Sequence, residues 1–188
     1  MSNELSSSKL IELISGRRTI HQFKEGMRLQ EKLIEAIALA RWAPNHHITE
    51  PWHFYLLGDE TVNAVIDLNT EISREEKGDD AAKAKERRWR KMPGWFVVTC
   101  AKSEDPIRNQ EDYAACCCAV QNLLLTLWNE DVGVKWSTGK IIRDKRFYDL
   151  LWINPELETV VGMFWYGYAE EIPNMTRKPL VQIMTELP

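Results

Sequence analysis

The sequence predicts a mixed fold, α+β or α/β, in which helices cover a sheet on both faces. Two observations carry that expectation. Four short apolar runs, "WHFYLLG" (52–58), "GWFVVTCA" (94–101), "VKWSTG" (134–139) and "TVVGMFWYGYA" (159–169), are separated by segments of helical periodicity. The runs at 94–101 and 159–169 are apolar almost without interruption, as strands buried on both faces are. Composition permits the core this needs, because 44% of the residues are hydrophobic and 28% charged, ordinary globular usage. A length of 188 residues fits one domain spanning 1–188.

The elements follow in order. A first helix fits 6–15, where serines can cap it and Leu10, Ile11, Leu13 and Ile14 give it an apolar side. Gly16 stops it and leaves Arg17, Arg18 and Thr19 on the turn just beyond. A second helix fits 29–43, with Leu33, Ile37 and Ala40 on one face, and Pro44 ends it. After the strand at 52–58, a short helix fits 60–70. Segment 71–91 is heavily charged, with Trp89 its only large apolar group, and reads as a solvated helix, a mobile flap or a lid over a site. The strand at 94–101 precedes the longest apolar helix, 111–131. A strand at 134–139 breaks at Gly139, and a helix at 143–153 precedes the last strand. Pro173 and Pro179 disfavour regular structure in most of the tail.

Several function classes are excluded by what the chain lacks. A net charge of −4 with mixed signs does not suit a general nucleic-acid binder. No run of 18 apolar residues is present to span a membrane, and the N-terminal residues have no apolar signal core, which points to the cytoplasm. G-x-S-x-G, H-E-x-x-H, paired C-x-x-C, the P-loop and the Rossmann glycine pattern are all missing, so neither a triad, a metal site nor a glycine-cradled nucleotide is expected. Cys116, Cys117 and Cys118 are consecutive, fit neither a zinc site nor a disulfide framework, and read as small buried residues of a helix. A chain without nucleophile or metal must take its chemistry from an organic cofactor. The anchor for one is "GRRTIHQF", because the arginine fork pairs bidentately with phosphate and Thr19 adds a short donor.

In order along the chain, "GRRTIHQF", "ALARWAPNHHITEPWHFYLL" and "VGMFWYGYAEEIPNMTRKPL" together resemble the flavin-dependent nitroreductase family, in its short single-domain branch of NAD(P)H nitroreductases. The resemblance implies an α+β sandwich, with a central, mostly antiparallel sheet flanked by helices, and a homodimer with FMN at the interface. It implies an oxidoreductase passing a hydride from NADH or NADPH, by ping-pong kinetics, through flavin N5 to a nitroaromatic, quinone or similar small-molecule acceptor. No catalytic side chain, metal, nucleic acid or membrane partner is implied. Arg17, Arg18 and Thr19 match the FMN phosphate and ribityl contacts. Arg41 and His46 match residues that reach the flavin of the other subunit. Trp136, Ser137, Thr138 and Gly139 match the segment lining the isoalloxazine, and Arg177 or Lys178 matches a basic residue aimed at the phosphate.

Two departures stand out: His46-His47-Ile48 replaces a Gly-Gly-Asn loop, and Glu50 replaces the Gln before Pro-Trp. A carboxylate beside an anionic reduced flavin is unfavourable, so Glu50 is expected to point away or to be paired. The same fold leaves room for two other readings, a non-catalytic flavin-binding or sensing protein and a flavin-fragmenting enzyme related to the benzimidazole synthase of cobamide assembly.

Overall fold

A computed structural model of the chain describes residues 2–26 and 29–188, with side chains from Ser8 onward. The elements run α1 (Ser2–Gly16), α2 (Gln30–Ala40), β1 (Trp52–Leu56), α3 (Asp59–Lys77), α4 (Asp79–Trp89), β2 (Gly94–Ala101), α5 (Pro106–Asn129), β3 (Val132–Ser137), α6 (Lys145–Leu150) and β4 (Glu158–Tyr168). The four strands form one antiparallel sheet in the order β1-β2-β4-β3. Helices lie on both faces, so the α+β sandwich is the observed architecture.

The central position of β2 and β4 explains their unbroken apolar character, since both faces of each are covered. On one face Phe96, Val98, Phe164 and Tyr166 pack against α2 and α5, with Phe96 and Phe164 paired in register and stacked at 4.6 Å. The α5 contribution is Cys116, Ala119, Val120, Leu123, Leu124 and Leu127, spaced at helical intervals. On the opposite face Trp95, Val97, Met163 and Trp165 meet α3, α4 and α6. There Trp89, Trp95 and Trp165 form an edge-to-face triad with ring centroids 5.2–5.4 Å apart. A register shift between Val98 and Thr99 adds one residue to β4, so Val161 and Met163, two residues apart, feed opposite layers.

The structure corrects several expectations. Helix α1 begins at Ser2, not Ser6, which puts the serines inside it; the capping expected of Ser6 and Ser7 falls outside the described side chains. Helix α2 stops at Ala40, before Pro44, and Arg41 is its C-cap. Segment 71–91 is helical, as one of its readings had it, but more buried than a solvated helix: α3 runs through to Lys77, Gly78 is the joint, and α4 packs back on α3. Ile72, Ala82 and Trp89 are buried while the carboxylates and arginines pair outward, as in Arg74–Asp79 at 2.8 Å and Arg90–Glu86 at 2.9 Å. Helix α5 starts earlier than expected because Asp105 accepts from the Ile107 amide at 2.9 Å and Pro106 needs no donor. The helix expected at 143–153 is the shorter α6, capped by Asp144, with a 3-10 turn at Lys140–Arg143 before it. Of the three consecutive cysteines Cys116 alone is buried; Cys117 is half-buried and Cys118 exposed, since successive helical residues turn by about 100°.

Candidate functional site

The turn after α1 lies against the edge of β3. Thr19 bridges Val134 in parallel, and the Ile20 amide donates to the Val134 carbonyl at 3.1 Å. Gly133 makes this approach possible, since a Cβ there would sit 2.4 Å from Ile20 Cγ1. Arg17, Arg18 and Thr19 are all half-buried as a result. Burial, then the charges of Arg177 and Arg18, hold the Arg17 guanidinium below its ordinary value. Arg177, exposed in the tail, is therefore near enough for its charge to act on Arg17. Among the described residues no carboxylate forms an ion pair with Arg17, Arg18 or Arg177. Arg18 also closes the end of α1, where its Nη1 donates to the carbonyls of Ser15 at 2.6 Å and Arg17 at 3.0 Å.

The same β3 edge presents the second group of expected residues. Trp136 is half-buried, its Nε1 donates to the Val161 carbonyl at 3.1 Å, and its ring tilts on Phe164 at 5.3 Å. Its place is fixed by Gly162, where a Cβ would come within 2.1 Å of that nitrogen. Ser137 ends the strand, and Thr138 and Gly139 follow exposed. Arg143 donates to the Thr138 carbonyl at 2.9 Å, while Lys140 and Glu76 tie the next turn to α3 at 2.6 Å. That leaves the Ser137 and Thr138 side chains on a braced loop at the end of β3.

Arg41 and His46 lie at the end of α2 and in the loop after it, both exposed. His46 Nδ1 lies 2.9 Å from Glu111 Oε2, and its ring stacks on His47 at 3.8 Å. The loop holds three non-glycine residues in left-handed backbone, His47 (φ 62°), Ile48 (φ 51°) and Glu50 (φ 44°). Such a conformation costs roughly 1–2 kcal/mol per residue. A polar network opposes that cost. The Glu50 amide donates to Asn45 Oδ1 at 2.7 Å, Asn45 Nδ2 donates to Thr49 Oγ1 at 3.0 Å, and Thr49 donates to the buried Asp112 carboxylate at 2.5 Å. His47 and Ile48 thus take up the backbone form that a glycine pair would adopt freely. Glu50 is exposed and, among the described residues, in no ion pair.

Sequence reasoning missed a second cationic group. Lys135 Nζ lies 5.1 Å over the Trp165 ring and Lys85 Nζ 5.6 Å over the Trp89 ring, and those rings are 5.2 Å apart. Burial, then the charge of Arg88, lowers the pKa of both lysines; burial, then Lys135 and Arg88, lowers that of His21. Two of the four, His21 and Lys135, lie within stretches already singled out, "GRRTIHQF" and "VKWSTG", and that adjacency was the available signal.

Comparison with known proteins comes to one result. The family model described as the nitroreductase family matches residues 14–168. YfhC of Bacillus subtilis, which carries the provisional name NAD(P)H nitroreductase, is 28% identical over 186 residues, 96% of this chain and 95% of that one. Among solved structures, a nitroreductase-like family protein from Bacillus cereus is 29% identical with a TM-score of 0.81, covering 94% of each chain. The FMN-dependent nitroreductase NfnB from Mycobacterium smegmatis, solved with NADPH, shares the fold at a TM-score of 0.78 and 13% identity, over 97% of this chain and 99% of that one.

Proposed function

This chain belongs to the nitroreductase family, and from that premise we propose that it is an FMN-dependent oxidoreductase using NADH or NADPH. The observation that supports this most is a half-buried Arg17 that feels the charges of Arg177 and Arg18, with no acidic ion-pair partner for the three among the described residues. Like charges that act on one another with no counterion raise each other's cost, and a phosphate dianion reverses it. The donor chemistry fits FMN: guanidinium forks for the phosphate, the Thr19 hydroxyl for the ribityl chain, and Trp136 with the braced Ser137–Gly139 loop for the ring system. Bound FMN supplies the redox chemistry, accepting a hydride from NADH or NADPH and passing electrons to a nitroaromatic, quinone or similar acceptor in a separate half-reaction.

The chain's own residues bind and orient. Arg17 and Arg177 neutralise the phosphate while Arg18 keeps α1 closed and offers its remaining donors. Trp136, fixed by its bond to Val161, gives a rigid apolar boundary. Arg41 and His46 lie outside the arginine group, which suits a homodimer in which each reaches the flavin held by the other copy. Exposed apolar residues on the same two helices, Leu10, Ile11 and Ile14 of α1 and Ile34 and Leu39 of α2, support an interface there, and Trp42 beside Arg41 is 76% exposed. One domain, 1–188, then forms half of each site.

The test is spectroscopic. The purified protein, incubated with FMN, is expected to be yellow, to bleach when NADH or NADPH is added without oxygen, and to recover its colour on adding a nitroaromatic or quinone. A protein that stays colourless, or that holds FMN unbleached by either nucleotide, contradicts the proposal.

A further inference from the structure

Three segments close on one end of the sheet, where β3 starts and β4 ends. The Lys24 amide donates to the Tyr168 carbonyl at 2.9 Å, the Glu170 amide to the Gln22 carbonyl at 3.0 Å, and the Asp131 amide to the Trp128 carbonyl at 3.1 Å. There an open cavity of about 330 Å³ is lined by Lys24, Trp128, Asp131, Tyr168, Ala169 and Ile172. Its polar groups are unused. Among the described residues the Lys24 ammonium, the Asp131 carboxylate, the Tyr168 hydroxyl and the Trp128 indole nitrogen enter no hydrogen bond or ion pair. The neighbouring Lys32 and Glu130, by contrast, hold one another at 3.5 Å. Asp131 also sits in left-handed backbone, at φ 60°, a form that costs an L side chain energy. The cavity adjoins the arginine turn along two paths. A Cβ at Gly16, the residue before Arg17, would lie 3.7 Å from the Trp128 indole nitrogen. The tail passes from Ile172 on the cavity wall to Arg177, whose charge acts on Arg17.

We propose that this cavity seats the adenine of FAD, so that the chain takes the dinucleotide flavin as well as FMN. The proposal rests on the flavin reading given above, with the flavin's phosphate at Arg17. FAD carries a second phosphate and an adenosine beyond that first phosphate. The contact between Gly16 and Trp128 brings the cavity wall to within one residue of the arginine. The cavity falls at the small end of the range for small-molecule sites, roughly 300–1,000 Å³. Adenine is flat, with apolar faces and a polar edge, and the lining offers what both need. Trp128 and Tyr168 supply aromatic surface on which a base stacks. The Asp131 carboxylate accepts from the exocyclic amine, and the Lys24 ammonium gives the second phosphate a counter-charge. Both side chains then gain the partners they lack in the free protein.

The experiment is calorimetric titration of the full, flavin-free chain with FMN and with FAD. FAD is expected to bind at least about fivefold more tightly, the lower end for stacking one base on an aromatic side chain. That advantage should fall to within about twofold in Tyr168→Ala and in Asp131→Gly, while FMN binds as before. Glycine adopts φ near 60° freely, so Asp131→Gly removes the carboxylate without strain and decides the matter if Tyr168→Ala fails to fold. Circular dichroism checks the fold of both variants. FAD binding no tighter than FMN, or an advantage that survives Asp131→Gly and a folded Tyr168→Ala, overturns the proposal. In a parallel arm, NAD⁺ is titrated into the FMN-loaded, oxidised protein and should bind the variants and the wild-type chain alike. A loss of NAD⁺ affinity in the variants, with FAD no better than FMN, gives the cavity to the adenine of the nicotinamide dinucleotide and overturns the proposal. Tight FMN without an FAD advantage refutes the adenine site alone, whereas a chain that binds neither flavin refutes the flavin reading with it.

Discussion

Trp136 shows how single residues set this site. Its indole has room because position 162 has no side chain, and its nitrogen has a partner in the Val161 carbonyl. Gly162→Ala is therefore expected to destabilise the fold by about 1–3 kcal/mol, the range for overpacking a close-packed site. Urea unfolding measures it, and an unchanged midpoint would contradict the assigned contact. Arg17 was legible in the sequence because two arginines and a hydroxyl residue after a helix stop form a local pattern. The capping bonds of Arg18 were not, since they depend on where the guanidinium folds back rather than on residue type. The exposure of Cys118 was legible in principle, because three adjacent helical positions cannot all face one core.

At the scale of elements, three strands are joined by one polar cluster. Tyr55 of β1 donates to Glu158 of β4 at 3.0 Å, and Thr99 of β2 donates to the same carboxylate. Burial, then the hydrogen bond to Glu158, raises the Tyr55 phenol to about 12 from its ordinary value near 10. Folding thus favours the neutral phenol, a contribution present below pH about 10 and lost as pH climbs toward about 12. Relative to Tyr55→Phe, the wild-type chain should lose stability over that interval, measured by urea unfolding at stepped pH; parallel pH curves would exclude the linkage.

Strands β2 and β4 were legible because central strands read as continuous apolar runs. The α3–α4 hairpin was not. Its apolar positions, Ile72, Ala82 and Trp89, are too sparse against the surrounding charge for a periodic signal, although they are enough to seal it on the Trp95 and Trp165 side. For the same reason the cationic group of Lys85, Arg88, Lys135 and His21 escaped the sequence. It is assembled from α4, β3 and the turn after α1, which only the tertiary fold brings together.

At the scale of the whole molecule, the chain divides its labour between two ends of the sheet. The β3 edge carries Thr19 and the turn of Arg17 and Arg18 beside Val134, with Trp136 and the loop to Gly139 farther along the strand. The α2 end carries Arg41 and a loop held in left-handed backbone by Asn45, Thr49 and Asp112. In the proposed dimer each end completes the site of the other copy. That arrangement gives the apolar residues exposed along α1 and α2 a partner surface and gives the strained loop a reason to be held. The family resemblance was legible from three ordered motifs, whereas the effect of the Arg177 charge on Arg17 needed the path of the irregular tail. The central claim is that these arginines grip a phosphate at the tail of the flavin. Equilibrium binding of FMN against riboflavin, which lacks that phosphate, tests it most directly. FMN should bind more tightly by about 1.5–3 kcal/mol or more, the range for a charged hydrogen bond, and Arg17→Ala should remove most of the difference. Equal affinity for the two flavins in the wild-type chain would contradict it.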